Sequence, residues 1–303
     1  MTAFSHYYLV ANGIRFHVAT PEAQGSGALV ILLHGFPEFW YSWRHQMPAL
    51  SAAGYHVIAP DLRGYNDTEK PARGYDLLTL TSDVAEIIKS LRYTRAVIVG
   101  HDWGGVLAWT FAARFPEMTS KLVVMNAPHL AAYQREMRRN FAQWRKSWYV
   151  YFFQIPRLPE ALLTSDHGRR IKQLLRRSAP ATTFSEEDLA RYAEAFCKPG
   201  VATAAINWYR AAARDRLTGA RLPNEGRVSA PTLLIWGAQD PALDIGQTIG
   251  LERWAPKLTV RVLPEASHWV QQDAPALVNS YVLDFLRADM FLEKNSQLAA
   301  AGR

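Results

Sequence analysis

Cysteine is almost missing from this chain of 303 residues: Cys197 is the only one. An internal disulfide and any cysteine-built metal cluster are thereby excluded, and the usage suits a reducing, cytoplasmic compartment. Metal-ligand spacing is missing as well. There is no His-Glu-x-x-His or comparable pattern, so no metal is expected. His6, His17, His45, His56, His129 and His167 share no spacing and read as surface or core-filling residues. No apolar run reaches the roughly 18 residues that a membrane span needs. The N-terminal stretch has no basic start followed by an apolar core, so no secretory signal is expected. The glycines between 100 and 105 are not followed by Lys-Ser/Thr, which excludes a phosphate loop. No internal repeat or low-complexity segment is present.

Charge is present but uneven. The formal net charge is +7, and the stretch from Arg135 to Arg221 carries 17 Lys/Arg against 8 Asp/Glu. No aromatic-basic nucleic-acid motif accompanies it, so a solvated, Arg-decorated set of helices is the expected meaning and no nucleic acid is expected as partner.

The length allows one large α/β domain, or a core with an insert. Tyr7–Val10 and Ile14–Val18 flank Asn12-Gly13 and predict an N-terminal β-hairpin. Ala28–Leu33, His56–Ala59, Ala96–Val99 and Lys121–Met125 read as strands, the first as a continuous apolar run of the kind buried on both faces. A helix is expected over Trp43–Ala53, stopping at Gly54. Another is expected from Ser82 to Leu91, with Thr81 or Ser82 as its cap. This alternation predicts a mostly parallel sheet with helices on both faces. The rhythm breaks after Pro128. A helical, aromatic, Arg-rich stretch, broken at Pro156, Pro159, Pro180 and Pro199-Gly200, occupies 129–223 and reads as an inserted helical cap. Residues 1–128 and 224–303 form the core. There the alternation resumes at Pro231–Trp236 and Leu258–Leu263, and ends with a helix over Pro275–Leu286 and a frayed tail after about Asp289.

The chemistry sits in Gly100-His101-Asp102-Trp103-Gly104, between a strand and a helix. That context is a nucleophile elbow, usually written G-x-S-x-G. Asp stands where Ser would be. A carboxylate suits attack on a saturated carbon bearing a good leaving group or ring strain, and it leaves an alkyl ester that a second step must hydrolyse. The second step needs a base. His268 follows the last strand, and Asp240 follows the strand before it, so nucleophile, orienting acid and base occur in the chain order of these hydrolases. Asp240 is expected to hold His268 neutral and oriented. The tetrahedral oxyanion needs preset donors. The backbone N–H groups of Trp103 and of Phe36, in His34-Gly35-Phe36-Pro37, are the candidates, with His34 bracing the loop.

These residues resemble a known family. His34-Gly35-Phe36-Pro37-Glu38, Trp40-Tyr41-Ser42-Trp43-Arg44, Asp61-Leu62-Arg63-Gly64-Tyr65, Gly100–Gly105 and Ser267–Pro275 are similar to the soluble epoxide hydrolases of the α/β-hydrolase fold. The resemblance implies an α/β-hydrolase core with a helical cap. It also implies an ether-bond hydrolase that turns an epoxide and water into a vicinal diol without metal or organic cofactor. Two cap tyrosines would activate the epoxide oxygen. Asn207-Trp208-Tyr209-Arg210 supplies Tyr209. Phe153-Gln154-Ile155-Pro156 places the other at Tyr149, with Tyr151 as the neighbouring alternative. Phe36, Pro37, Trp103 and Trp269 would form the pocket walls. Two copies would pair through the cap, as many relatives do.

Haloalkane and haloacetate dehalogenases share the elbow and are the alternative enzyme class. Haloacetate dehalogenases carry Arg directly after the nucleophile, where this chain has Trp103. Their halide-binding Trp lies near the position of Tyr149, and Trp148 is adjacent but out of register. One group of haloalkane dehalogenases has Asn in the place of Phe36. A non-catalytic small-molecule-binding protein on the same fold is the third reading, and such proteins usually lose a triad member.

Overall fold

The computed structural model describes residues 3–218 and 223–301, with residues 289–301 as backbone only. Among these residues eight strands form one sheet. β1 (Phe4–Ala11) and β2 (Ile14–Pro21) are the expected hairpin, turned by Asn12 and Gly13, both at positive φ. The other strands are β3 (Leu29–Leu33), β4 (His56–Pro60), β5 (Ala96–His101), β6 (Thr119–Met125), β7 (Thr232–Gly237) and β8 (Leu258–Leu263). Their order is β1-β2-β4-β3-β5-β6-β7-β8. The pairings of β1 with β2 and of β2 with β4 are antiparallel, and all others are parallel. β3 is buried along its whole length and β8, at the edge, mostly is not. This matches a continuous apolar run in the first and an alternating pattern in the second.

Three core helices follow the early strands: α1 (Gln46–Ala52), α2 (Leu77–Ser90) and α3 (Asp102–Arg114). Two differ from expectation. α1 starts after a separate 3-10 turn over Trp40–Trp43. A helix begun at Trp43 would bury Pro48 in its interior, whereas a start at Gln46 puts the proline in the first turn, where its missing N–H costs nothing. α2 begins five residues earlier than expected, capped by Asp76, whose side chain accepts from the Thr79 amide at 2.9 Å. Thr81 and Ser82 lie inside the helix and donate back to the carbonyls of Leu77 and Leu78.

Among the described residues between β6 and β7 no strand is present, and the segment carries α4 (Leu130–Arg139), α5 (Phe141–Lys146), α6 (Trp148–Phe152), α7 (Leu158–Ser178), α8 (Glu186–Cys197) and α9 (Val201–Leu217). This is an inserted helical region. α7 is broken at Asp166, His167 and Gly168, all in left-handed conformation. α10 (Val270–Asp273) and α11 (Pro275–Ala301) complete the chain. α11 continues past the expected end at Leu286; the sequence beyond it contains no Gly or Pro before Gly302. No described helix is long and apolar enough to cross a membrane.

The fold gathers the chemistry at one edge. His34–Phe36, Asp102, Asn126, Asp240 and His268 all follow the C-terminal ends of parallel strands, β3, β5, β6, β7 and β8. In open α/β sheets that edge is where ligands bind.

Candidate active site

Asp102 sits at the junction of β5 and α3 with φ of 50°, in the left-handed region. A non-glycine residue there costs about 1–2 kcal/mol. The surrounding packing enforces it. A Cβ on Gly104 would run into the backbone carbonyl of Leu33, so only glycine lets α3 press this closely on the end of β3. Gly35 is as constrained: its Cβ would overlap the Asp102 side chain. Gly35→Ala is therefore expected to push the carboxylate aside. Displacement by about 1 Å costs roughly 10²-fold in rate, to be measured as turnover alongside circular dichroism showing an intact fold.

The Phe36 amide donates to Asp102 Oδ1 at 2.8 Å. Among the described residues it is the only backbone donor on the resting carboxylate. The Trp103 amide, one residue along, makes no such bond at rest. His34 does brace this loop: its Nε2 accepts from the Leu62 amide at 2.9 Å, which leaves Nδ1–H to donate to the Gly35 carbonyl at 3.0 Å.

His268 lies between two carboxylates. Its Nδ1 is 2.7 Å from Asp240 Oδ2, and its Nε2 is 3.5 Å from Asp102 Oδ2. Asp240 is buried and clamped: its Oδ1 accepts from the amides of Ala242 and Leu243, at 2.7 and 2.8 Å, and its Oδ2 from Asn126 Nδ2 at 2.8 Å. Burial pushes its pKa up, but the charge and hydrogen bond of His268, with Asn126 and the Leu243 amide, outweigh it and hold the carboxyl below 3.8. For His268, burial works against the charged ring. The Asp240 charge, the hydrogen bonds to Asp102 and Asp240, and the Asp102 charge prevail, raising its pKa well above 6.5. Between two anions the imidazolium is favoured, so the neutral base expected for the water step requires the loss of one of them.

Two groups that carried no expected role complete the frame. Asn126, at the end of β6, holds Asp240 and accepts from the Gly237 amide at 2.8 Å. Glu38 Oε2 accepts from the Gly35 amide at 2.7 Å and lies 2.7 Å from His101 Nδ1; His101 Nε2 lies 2.9 Å from the His268 carbonyl. Both His101 nitrogens thus face acceptors. The buried pair ties the loop after β3, the elbow and the His268 loop together. The Glu in His-Gly-Phe-Pro-Glu was its only sequence signal.

A cavity of about 870 Å³ lies over Asp102, lined by Trp103, Tyr149, Tyr209, Tyr133, Met137 and Leu243 among others. The Tyr149 and Tyr209 rings are 5.9 Å apart, and Tyr209 packs edge-on against Trp103 at 4.9 Å. Burial, then neighbouring groups including the Asp102 charge, keep both phenols well above their usual pKa of 10. Tyr151 also lines the cavity but is half exposed. Arg210 ties the helix of Tyr209 to the turn that follows the helix of Tyr149. From the helix bearing Tyr209 it donates to the carbonyls of Phe153 and Ile155, at 3.0 and 2.8 Å, and pairs with Glu160 at 2.6 Å.

Of the four expected wall residues, Trp103 lines this cavity and Phe36, Pro37 and Trp269 do not. The Phe36 ring stands behind Tyr209 at 5.4 Å. Trp269 is buried beyond His268, its ring 5.0 Å from the imidazole and its Nε1–H donating to Ser178 Oγ. Trp148 points away, 65% exposed.

The sequence profile of the alpha/beta hydrolase fold matches residues 28–275. The chain is 39% identical over 282 residues to the AB hydrolase superfamily protein YfhM of Bacillus subtilis (strain 168), covering 92% of this chain and 97% of that protein. It is 37% identical over 289 residues to Epoxide hydrolase 4 of Mus musculus, covering 92% and 78%. The crystal structure of Bacillus megaterium epoxide hydrolase in complex with an inhibitor matches with a TM-score of 0.85 at 32% identity, over 93% of this chain and 100% of that one. An aspartate elbow beneath two cap tyrosines, in a chain related to these proteins along nearly its full length, belongs to the epoxide hydrolases of the α/β-hydrolase fold.

Proposed function

We propose that this chain opens an epoxide to a vicinal diol through a hydroxyalkyl ester on Asp102, with Asp102, His268, Asp240, Tyr149 and Tyr209 as the working groups. The observation that carries the reading is the pair of phenols on the wall of the cavity that also holds Asp102. Ring opening puts charge on oxygen, and a phenol can protonate an alkoxide downhill. A departing halide needs no proton. The exposed Trp148 and the absence of Arg after Asp102 give a carbon–halogen substrate no comparable support.

The geometry supports the following steps. Asp102 Oδ1 stays on the Phe36 amide and becomes the ester carbonyl, which leaves Oδ2 to attack a ring carbon. The ring C–O bond breaks, and its electron pair takes a proton from Tyr149 or Tyr209. Esterification removes the Asp102 charge, one of the two anions that favoured the imidazolium. His268 then releases its proton to solvent while the tyrosinate takes one up, so the phenol is restored and the neutral imidazole acts as base toward water, with Asp240 holding its Nδ1 side. Hydroxide adds to the Asp102 carbonyl carbon, with the Phe36 and Trp103 amides on the oxyanion. The adduct collapses, the bond from the acyl carbon to Oδ2 breaks, and the departing diol oxygen takes the proton of the new carboxyl group; the diol leaves with an oxygen from Asp102, and the restored carboxylate carries one from water. In a single turnover in ¹⁸O-water, the diol should be unlabelled and the protein labelled; labelled first-turnover diol would mean direct attack by water.

Removing one phenol should slow ring opening by roughly 10–10²-fold, and Tyr149→Phe/Tyr209→Phe by about 10²–10⁴-fold. Ester hydrolysis in a pre-steady-state trace should be little changed. pH separates the steps in the same way. Alkylation uses protonated phenols, which persist to high pH. Hydrolysis needs neutral His268, so its rate should fall as pH drops through the pKa of the ester form. Acidification should therefore accumulate ester, read by quenched-flow mass spectrometry.

We place the core at 1–128 and 224–303, the cap at 129–223, and the protein in the cytoplasm, a reading supported by its single cysteine. Pairing of two copies through the cap is the remaining expectation from the resemblance, and the charge of one cap face argues against that face as its site.

A further inference from the structure

Between Glu136 and Glu160 the chain has five cations, Arg138, Arg139, Arg145, Lys146 and Arg157, and no acidic residue. The same stretch, spanning α5 and α6, exposes large aromatic rings: Phe141 is 71%, Trp148 65%, Tyr151 52% and Trp144 49% exposed. Phe141 stacks on Trp144 at 5.8 Å, and Trp144 approaches Tyr151 at 6.4 Å, so three of these rings make one continuous patch. Lys146 is engaged, donating to the Asp240 carbonyl at 2.9 Å. The four arginines are exposed and, among the described residues, form no ion pair.

Clustered exposed rings on a folded protein mark an interaction surface. The charge decides what it meets. A second copy seated face to face would oppose two acid-free cationic sets, which is repulsive. Exposed tryptophan and tyrosine rings in a segment whose exposed charges are all arginines suit the boundary of a bilayer, where the ring enters the headgroup layer and the guanidinium meets phosphate. Negative lipids then supply the missing counter-charge. Tyr151 belongs both to this patch and to the wall of the cavity that holds Asp102, so the patch adjoins that cavity.

We propose that the α5–α6 face docks reversibly on an anionic lipid surface, with the cavity opening beside it. The claim is independent of which bond Asp102 breaks. Co-sedimentation of the full chain with vesicles tests it. Binding to phosphatidylcholine vesicles containing about 30% phosphatidylserine should exceed binding to pure phosphatidylcholine by about ten-fold at ~0.1 M salt, and fall to the neutral level at ~1 M. Arg138→Gln/Arg139→Gln/Arg145→Gln and Trp144→Ser/Trp148→Ser should each lose most of the binding. Both should keep wild-type turnover of a water-soluble epoxide, which shows that they fold. Equal binding to both vesicle types, or none, overturns the proposal. So does a dimer in size-exclusion chromatography that Trp144→Ser/Trp148→Ser converts to monomer, since the patch would then be covered by a second copy. The salt series on wild-type protein decides the question even where a variant fails to fold.

Discussion

His268→Gln should react once and stop. Asp102, the Phe36 amide and both tyrosines remain in place, so ring opening proceeds and the ester forms. Without the imidazole the base that Asp240 orients toward Asp102 is gone, and hydrolysis should slow by at least about 10³-fold. The expected signature is a burst of one equivalent of epoxide consumed and a protein heavier by the mass of the substrate, located on the peptide containing Asp102. The variant also loses a partner of Asp240, but that carboxylate keeps Asn126 and the two backbone amides. The loop is therefore expected to hold. Steady turnover without accumulated adduct would remove His268 from the hydrolytic step.

Asp102→Asn should abolish turnover, by more than about 10⁴-fold, because the amide cannot form the ester. It carries a second and more diagnostic consequence. The substitution keeps the shape of the side chain and deletes its charge, so it imitates the electrostatics of the esterified protein. His268 then faces one anion instead of two. Its pKa, well above 6.5 in the resting protein, should fall, and NMR titration of the imidazole C–H resonances reads this directly. An unchanged His268 pKa in this variant would mean that esterification does not release the base, and the coupling between the two half-reactions would have to lie elsewhere.

The geometry of the candidate site was largely legible because it is written in short local patterns. A strand, two glycines around an aspartate and a helix determine where Asp102 stands, and the tight glycine contacts are what the pattern encodes. Asp240 and His268 could be located because each follows a recognisable strand. Tyr209 and Tyr149 came from motif likeness, not from periodicity. What was hidden depends on contacts between distant segments. Asn126 reads as an ordinary turn residue after β6, and only the return of β7 beside it reveals the clamp on Asp240. Trp269 follows His268 directly and looked like a wall, yet the chain turns there and buries its ring behind the imidazole. The start of α2 was missed because hydroxyl residues at 81 and 82 mimic a cap, while Asp76 performs the capping.

Arg210 ties the helix of Tyr209 to the turn that follows the helix of Tyr149, while Asp102, Asp240 and His268 are joined through the loops that follow the sheet strands. The proposed proton donors and the proposed nucleophile therefore come from different segments, which are themselves pinned together: Lys146 donates to the Asp240 carbonyl and Trp208 to that of Arg63. Ring opening draws on groups from both segments, whereas ester hydrolysis draws on the sheet side alone. A bulky epoxide that strains the seam between helices and sheet should thus be penalised at the first step and forgiven at the second.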